Sequence, residues 1–184
     1  SPGRARRSRR TARSRGRQPA PRPAALNYPA APSALSWAQR SVGQRSAVLR
    51  AGAASQTSPL SSAALLFNAE RSEQLLAAEQ SLPGPTGETN RYGLRPRGLV
   101  GYRPSATTSA ACLAGKIGAA LAAGNTVRVA AEDEQSRRHC TALQQSLCAA
   151  GLPAAALVID ADSDATARLL ANRELTALIV DHYS

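Results

Sequence analysis

The chain has 184 residues and a formal net charge of +11, with 3% aromatic residues and no methionine. This length suits one domain with an appendage, and alanine dominates the apolar residues, so little side-chain area is available for a core. The sequence lacks an apolar run of about 18 residues, so we expect no transmembrane helix. It also lacks the apolar stretch that follows the basic start of a secretory signal.

The positive charge is concentrated at the start of the chain. Residues 1–69 contain 12 arginines and no acidic residue, whereas residues 70–184 contain 10 arginines, Lys116 and 12 acidic residues. Nine of these arginines, from Arg4 to Arg22, lie among serine, alanine, glycine and proline. Such a segment cannot bury enough apolar surface to offset chain entropy. No clear period follows up to residue 65 beyond a weak helix predicted at residues 33–50, so we expect residues 1–65 to be disordered.

Three interpretations of this basic region remain open. Arginines neutralise phosphates and release counterions, so the segment from Arg4 to Arg22 can bind nucleic acid without sequence preference. The alternatives are a solvated tail, or a foreign or out-of-frame segment. Arginine without lysine, mixed with alanine, proline, serine and glycine, is typical of GC-rich DNA read in another frame. The composition favours these two alternatives over the nucleic-acid arm.

Residues 66–94 are interpreted as a short helix and a structural connector. Asn68 can cap the helix, and Leu75 and Leu76 give it an apolar side. The Pro-Gly-Pro-Thr-Gly run at residues 83–87 is a turn cluster, because proline fixes φ and glycine permits positive φ. No Lys-Ser or Lys-Thr pair follows the glycines, so this run is not a phosphate-binding loop.

A regular alternation of strands and helices begins after residue 95. Leu113, Ile117 and Leu121 share one face of the first helix, whose start Ser105 or Thr107 can cap. In the next strand apolar and polar residues alternate from residue 126 to residue 129. Predicted strands cover residues 98–102, 126–131, 154–159 and 175–180, and helices cover residues 105–123, 134–150 and 162–170. The order βαβαβαβ predicts a partial Rossmann-like α/β fold with a parallel sheet, spanning residues 95–184. Because the last strand lies close to the end of the sequence, we expect a truncated unit.

Few residues in this unit are candidates for chemistry. The Gly-x-Gly-x-x-Gly fingerprint of a dinucleotide site is absent between the first strand and its helix, where residues 102–107 read YRPSAT. Lys116, the only lysine, lies in mid-helix with no desolvating neighbour evident from sequence. Cys112, Cys140 and Cys148 show no spacing of a disulfide framework or metal site, which favours a reduced cytoplasmic protein.

The histidines and aspartates do not form a recognisable site either. His139 and Cys140 are adjacent, so their side chains diverge on a helix; we expect His139 on a solvated face and Cys140 with Cys148 on the inner side. His182 has no identifiable partner. The aspartates after the third strand lack the glycine and glutamate of a calcium loop, so capping and solvation explain them better; they are Asp160, Asp162 and Asp164. We therefore assign no catalytic, cofactor-binding or metal-binding residue.

Two runs, LPGPTGETN at residues 82–90 and LRPRG at residues 94–98, resemble a segment late in the bifunctional proline-utilization flavoenzymes. In that family the segment follows the aldehyde dehydrogenase catalytic domain and leads into a C-terminal domain, itself similar to a degenerate aldehyde dehydrogenase half. The resemblance continues weakly through AALAAGNTV at residues 119–127 and through residues 151–153 to the last strand. It covers residues 66–184 and does not reach residues 1–65.

The resemblance implies a place in proline catabolism. The family oxidises proline with FAD and then oxidises glutamate semialdehyde to glutamate with NAD, but neither active site lies in the matched part. Where a working aldehyde dehydrogenase has a lysine, this chain has Ala130, and no catalytic cysteine or general-base glutamate can be placed. The resemblance therefore implies a fragment that holds no cofactor, is inactive alone, and covers and braces an aldehyde dehydrogenase domain or an oligomer partner. The rival hypothesis is a nucleic-acid-binding protein that uses the basic tail.

Overall fold

The structure, a computed structural model, describes residues 32–181. In chain order its elements are α1 (Pro32–Gln39), α2 (Val42–Ala54), α3 (Pro59–Leu76), β1 (Gln80–Leu82), β2 (Asn90–Tyr92), β3 (Leu99–Arg103), α4 (Ala110–Ala122), β4 (Thr126–Ala130), α5 (Glu134–Ala149), a 3₁₀ turn (Ala154–Ala156), β5 (Leu157–Asp160), α6 (Ala165–Ala171) and β6 (Leu175–Val180). Within this range no helix is both long and apolar enough to cross a lipid bilayer. The arginines from Arg4 to Arg22 and His182 lie outside the described residues, so the predictions for them stay predictions.

Four strands form one parallel sheet in the order β5-β4-β3-β6. Val100 of β3 pairs with Val127 of β4 on one side and with Ala177 of β6 on the other. This topology confirms the predicted βαβαβαβ order and the partial Rossmann-like α/β class. The direction of strand addition reverses at β3, so the carboxyl ends of β3 and β6 flank the position where open α/β sheets bind ligands.

The main core forms between this sheet and the helices. Leu113, Ile117 and Leu121 are buried on one face of α4, as their four-residue spacing predicts. The predicted face of α5 is likewise buried, through Cys140, Leu143 and Leu147. Alternate strand residues, including Tyr102 and Val129, complete the same cluster. A smaller cluster of Ala130, Ala165 and Leu169 packs α6 against the sheet.

The helix starts differ from those predicted. Helix α4 begins at Ala110 rather than near Ser105, because Ser109 is its N-cap and accepts a hydrogen bond from the Cys112 N–H. Residues 105–108 instead form a turn, in which the Thr108 N–H donates to the Ser105 carbonyl at 3.0 Å. Helix α6 begins at Ala165, later than the predicted residue 162. These turns keep polar side chains at the carboxyl ends of the strands.

Residues 32–65 are not disordered, contrary to the expectation from composition. Ser41 separates α1 from α2 with a capping box, which a continuous weak helix would not contain. Trp37 is fully buried, and its Nε1 donates to the Leu121 carbonyl at 3.1 Å. Arg45 is 6% exposed and donates from Nε to the Ala122 carbonyl at 2.9 Å. These contacts join α1 and α2 to the last turn of α4.

Helix α3 runs across the predicted boundary between residues 65 and 66. Ser58 is its N-cap, and Asn68, predicted as a cap, lies inside the helix, where its Nδ2 donates to the Gly115 carbonyl at 2.8 Å. Leu65 is fully buried, whereas Leu75, predicted on the apolar side, is 54% exposed. The helix therefore packs against α2 and α4 through a different face from the predicted one.

The predicted connector is the loop of a β-hairpin. Strands β1 and β2 pair antiparallel, with Ser81 opposite Arg91. At the loop the Glu88 N–H donates to the Pro85 carbonyl at 3.1 Å, and Gly87 has a φ of 94°. The turn prediction is confirmed, because proline and glycine set this bend. The pairing of the flanking residues was not predicted.

Candidate functional site: the carboxyl ends of β3 and β6

Asp181 lies where the strand order reverses. It follows β6 directly, and its backbone N–H donates to the Arg103 carbonyl at 3.2 Å, which extends the pairing with β3 by one residue. The loop between Arg103 and α4 lies at the same edge of the sheet. Parallel strands end together at this edge, so residues that are distant in sequence lie close together here.

Three side chains donate hydrogen bonds to the Asp181 carboxylate. Tyr102 Oη donates to Oδ2 at 2.8 Å and Thr108 Oγ1 donates to the same oxygen at 2.5 Å. Lys116 Nζ donates to Oδ1 and forms an ion pair with it. Asp181 is 8% exposed, so these bonds replace the water that the carboxylate loses on burial.

The charge states of the cluster follow from these contacts. Burial tends to raise the pKa of Asp181, but hydrogen bonds from Lys116, Thr108 and Tyr102 outweigh it and lower the pKa. Burial likewise tends to lower the pKa of Lys116, and its bond to Asp181 outweighs that effect and raises the pKa. Burial and the neighbouring carboxylate raise the pKa of Tyr102. At neutral pH the cluster therefore holds an ionised pair and a neutral phenol.

A cavity of about 420 Å³ opens beside the ion pair. Its lining includes hydroxyl groups of the loop before α4 together with Cys112, Lys116 and Asp181. Lys116 also lies over the ring of Tyr102, with Nζ 5.5 Å from the ring centroid. A phosphate at this position would need a positive group, yet the ammonium is already paired, and the Asp181 carboxylate would repel it. These residues do not fit a dinucleotide as they stand.

The cysteines and His139 do not come together in this site. Cys112 is exposed, Cys140 is buried and Cys148 is half-buried, and all three are free. Burial raises the pKa of the Cys140 thiol to about 12, which fits its predicted role as a small apolar residue. Cys148 was predicted on the inner side and is only partly covered. His139, predicted on a solvated face, is half-buried, and its buried Nδ1 has no hydrogen-bond partner among residues 32–181.

Of the three aspartates at and after the end of β5, two form ion pairs with different arginines. Asp160 binds Arg128, with Oδ2 2.5 Å from Nε, and Asp162 binds Arg168. Asp162 Oδ1 also accepts the Asp164 N–H at 3.0 Å, but the N-cap of α6 is Asp164 and its side chain makes no capping hydrogen bond, so this bond closes a turn before the helix and the predicted cap is wrong. Across residues 32–181, no group of three or more His, Cys, Asp or Glu side chains has the arrangement of a metal site.

Ala130 lies at the end of β4 and is 2% exposed. It lines a second, smaller cavity of about 250 Å³, together with Arg103, Glu132 and Asp133. The methyl group of Ala130 packs on Ala165 and Leu169. At this position the resemblance implies a lysine in a working enzyme, and Ala130 provides no ammonium group. Hydrogen bonds from Thr166 lower the pKa of Glu132, which keeps a carboxylate at this cavity.

The pairing of Lys116 with Asp181 was not predicted from sequence. The sequence places Lys116 in mid-helix with no evident desolvating neighbour, and it indicates no role for Asp181. The sequence nevertheless contains a clue to this pairing. Asp181 directly follows β6, and Lys116 lies two turns into α4, the helix that follows β3. In a Rossmann-like order these two strands are adjacent, so their following residues meet at one edge.

A scan against protein-family models gives no match, and a search of curated proteins gives none. Solved structures do match. A proline utilization A structure with proline bound in remote sites matches with a TM-score of 0.74 and 24% identity, over 80% of this chain and 18% of that one. A proline utilization A variant from Bradyrhizobium japonicum matches with a TM-score of 0.71 and 25% identity, over 79% and 18%. An aldehyde dehydrogenase from Brucella melitensis biovar abortus 2308 matches with a TM-score of 0.70 and 20% identity, over 80% and 36%.

The extent of these matches corrects one sequence-based prediction. A match over 80% of 184 residues needs about 147 residues, more than the 119 between residues 66 and 184, so it includes part of residues 1–65. The chain spans only about a fifth of the proline utilization A proteins that it matches. The resemblance to the aldehyde-dehydrogenase-like part of the proline-utilization family is thus confirmed by structure, and it extends into residues 1–65.

Proposed function

We propose that this chain is a non-catalytic module of a bifunctional proline-catabolic enzyme, and that it covers and braces an aldehyde dehydrogenase domain or an oligomer partner. It works in the cytoplasm, in keeping with its three free cysteines, and binds neither FAD nor NAD itself. Two features support this function: the polar cluster around Asp181 is satisfied within the chain, and the hairpin of β1 and β2 exposes its apolar side chains.

The main support for the docking role is the exposed apolar surface of the hairpin formed by β1 and β2. All six residues of β1 and β2 are exposed, although the hairpin and its C-terminal flank include Leu82, Tyr92 and Leu94, which are 46%, 49% and 57% exposed. A two-stranded hairpin is only marginally stable in water, so a partner surface that covers these side chains would fix its conformation. Its exposed edges can also pair with a strand of the partner.

A binding experiment tests this function. The full chain is mixed with a proline utilization A protein that lacks the region matched here, and association is followed by analytical ultracentrifugation. We expect a complex, and we expect a double variant, Leu82→Asp with Tyr92→Asp, to weaken it at least about tenfold. The matched control is Leu170→Asp, because Leu170 is 58% exposed on α6, away from the hairpin. Equal affinity of both variants, or the absence of a complex, would contradict the docking role.

A second assay addresses catalysis directly. The purified chain is tested for NAD reduction with glutamate semialdehyde and for dye reduction with proline. We expect rates at the uncatalysed background, because Asp181 already engages the ammonium of Lys116 that a phosphate would need, and Ala130 replaces the expected lysine. Clear turnover in either assay would contradict a non-catalytic module.

A further inference from the structure

We infer that Asp181 is the internal ligand of a latent oxyanion site. Tyr102 Oη, Thr108 Oγ1 and Lys116 Nζ converge on its carboxylate, and they would bind a small free carboxylate, such as formate or acetate, if the side chain were removed. The inference does not rest on the docking role, because it concerns only the contacts of one side chain.

The donors are held in place by contacts that do not involve Asp181. Tyr102 is fully buried in the main core, and so cannot swing away when its acceptor is lost. Thr108 Oγ1 also accepts the Ser105 N–H at 3.0 Å, which fixes the turn before α4. Lys116 lies in the middle of α4, over the Tyr102 ring. A preorganised set of donors binds its ligand without the entropy cost of assembling the site.

The number and charge of the donors match one carboxylate. Asp181 Oδ2 accepts hydrogen bonds from two hydroxyl groups and Oδ1 accepts one from the Lys116 ammonium, so both carboxylate oxygens have donors. A neutral ligand would leave the half-buried ammonium without a counterion, and this favours an anion. The adjoining cavity of about 420 Å³ is lined by both Lys116 and Asp181, so a small anion can reach the donors from solvent.

With Asp181 in place the site is closed to external anions. Its carboxylate occupies the three donors, and its negative charge repels a second anion in the same cleft. The wild-type protein therefore binds no anion here, whereas a variant without the carboxylate has an unfilled site. In this view Asp181 holds β3, β6 and α4 together by acting as a tethered anion.

The test is chemical rescue of Asp181→Ala in the full chain. Thermal unfolding is measured during titration with sodium formate, and sodium chloride at equal ionic strength corrects for salt. We expect the variant to melt several degrees below the wild type, and formate to raise its melting temperature saturably by about 3 °C. The wild type should respond equally to both salts. The matched control is Asp162→Ala, which removes an exposed carboxylate bound to Arg168 and should show no saturable rescue.

Two additions keep the experiment decisive. In the double variant Asp181→Ala with Lys116→Met, formate should have no effect beyond that of chloride, because the cationic donor is missing. If Asp181→Ala is unfolded in chloride, its folded fraction is measured against formate concentration, and a saturable increase is the same evidence by mass action. Formate that acts no more than chloride on the single variant, or rescue that persists without Lys116, would overturn the inference.

Discussion

The indole of Trp37 donates its Nε1–H to the backbone carbonyl of Leu121, 84 residues further along the chain, at 3.1 Å. Leu121 lies in the last turn of α4, and its carbonyl also accepts the Gly124 N–H at 2.9 Å. Arg45 binds the next carbonyl, that of Ala122, from α2. The first two helices thus cap the C-terminus of α4, which also explains why the polar groups of Trp37 and Arg45 can be buried.

The first prediction concerns this contact. Trp37→Ala should destabilise the protein by about 3–5 kcal/mol, because it removes a fully buried aromatic side chain together with its hydrogen bond to the Leu121 carbonyl. Phe67→Ala is the matched control, since Phe67 is 62% exposed and its loss should cost less than about 0.5 kcal/mol. Urea unfolding followed by circular dichroism measures both. Equal midpoints for the two variants would show that α1 does not contribute to the folded unit.

The sheet was predictable because its strands carry a local signal. Val127 and Val129 alternate with the half-buried Thr126 and Arg128, and short apolar runs mark the other strands. The helix faces of α4 and α5 repeat every three or four residues, and the burial of Leu113, Ile117 and Leu147 follows directly from that spacing. In these elements local pattern and tertiary packing agree.

The sequence predicts only one weak helix in place of α1 and α2, and only the second half of α3, because the buried faces of these helices are not apolar patterns. The inner side of α2 includes Arg45 and Ser46, and Ser46 Oγ donates to the Ala69 carbonyl of α3 at 3.1 Å. Polar residues can be buried only when such distant partners satisfy them, and those partners are invisible in a local window. The same holds for Asp181, whose three donors come from β3, from the following turn and from α4. The predicted strand order indicates that Asp181 lies at this edge of the sheet, but it does not indicate which side chains bind it.

The second prediction compares two glycines with different backbone geometry. Gly124 ends α4 with a φ of 83°, and a Cβ there would lie 2.7 Å from Pro96 Cγ. Gly124→Ala should therefore cost about 1–2 kcal/mol. Gly43 lies in α2, where an added Cβ would have no atom within 4 Å, so Gly43→Ala should stabilise by up to about 1 kcal/mol. Thermal unfolding of both variants gives the comparison, and shifts of the same sign would contradict it.

The third prediction concerns the basic tail, for which nucleic-acid binding stays the alternative hypothesis. Binding of the full chain to DNA should be independent of base sequence and should fall steeply with salt, because arginine–phosphate contacts release counterions. Deletion of residues 1–25, which removes the arginines from Arg4 to Arg22, should abolish it. Fluorescence anisotropy at several salt concentrations measures both effects. A base-sequence preference that survives at physiological salt would instead favour a nucleic-acid-binding function.

The last prediction is the pH dependence that Asp181 confers. Its pKa is lowered in the folded protein, so the ionised carboxylate stabilises the fold above its unfolded pKa of about 3.9, and this stabilisation is lost as the pH falls through the lower folded value. Lys116 acts in the opposite direction. Its raised pKa stabilises the fold below the unfolded pKa of about 10.4, and that contribution disappears as the pH rises through the folded value.

Asp181→Asn keeps the shape of the side chain and removes the charge, so it isolates this contribution. We expect the variant to lose about 1–3 kcal/mol at pH 7, and the difference from wild type to shrink as the pH falls below about 4 and again as it rises above about 10. Glu88→Gln removes an exposed carboxylate in the hairpin loop and should leave the curve close to that of the wild type. Urea unfolding at each pH gives the free energies. A difference between Asp181→Asn and wild type that stays constant from pH 2 to pH 7 would mean that the charge of Asp181 does not stabilise the junction between β3 and β6.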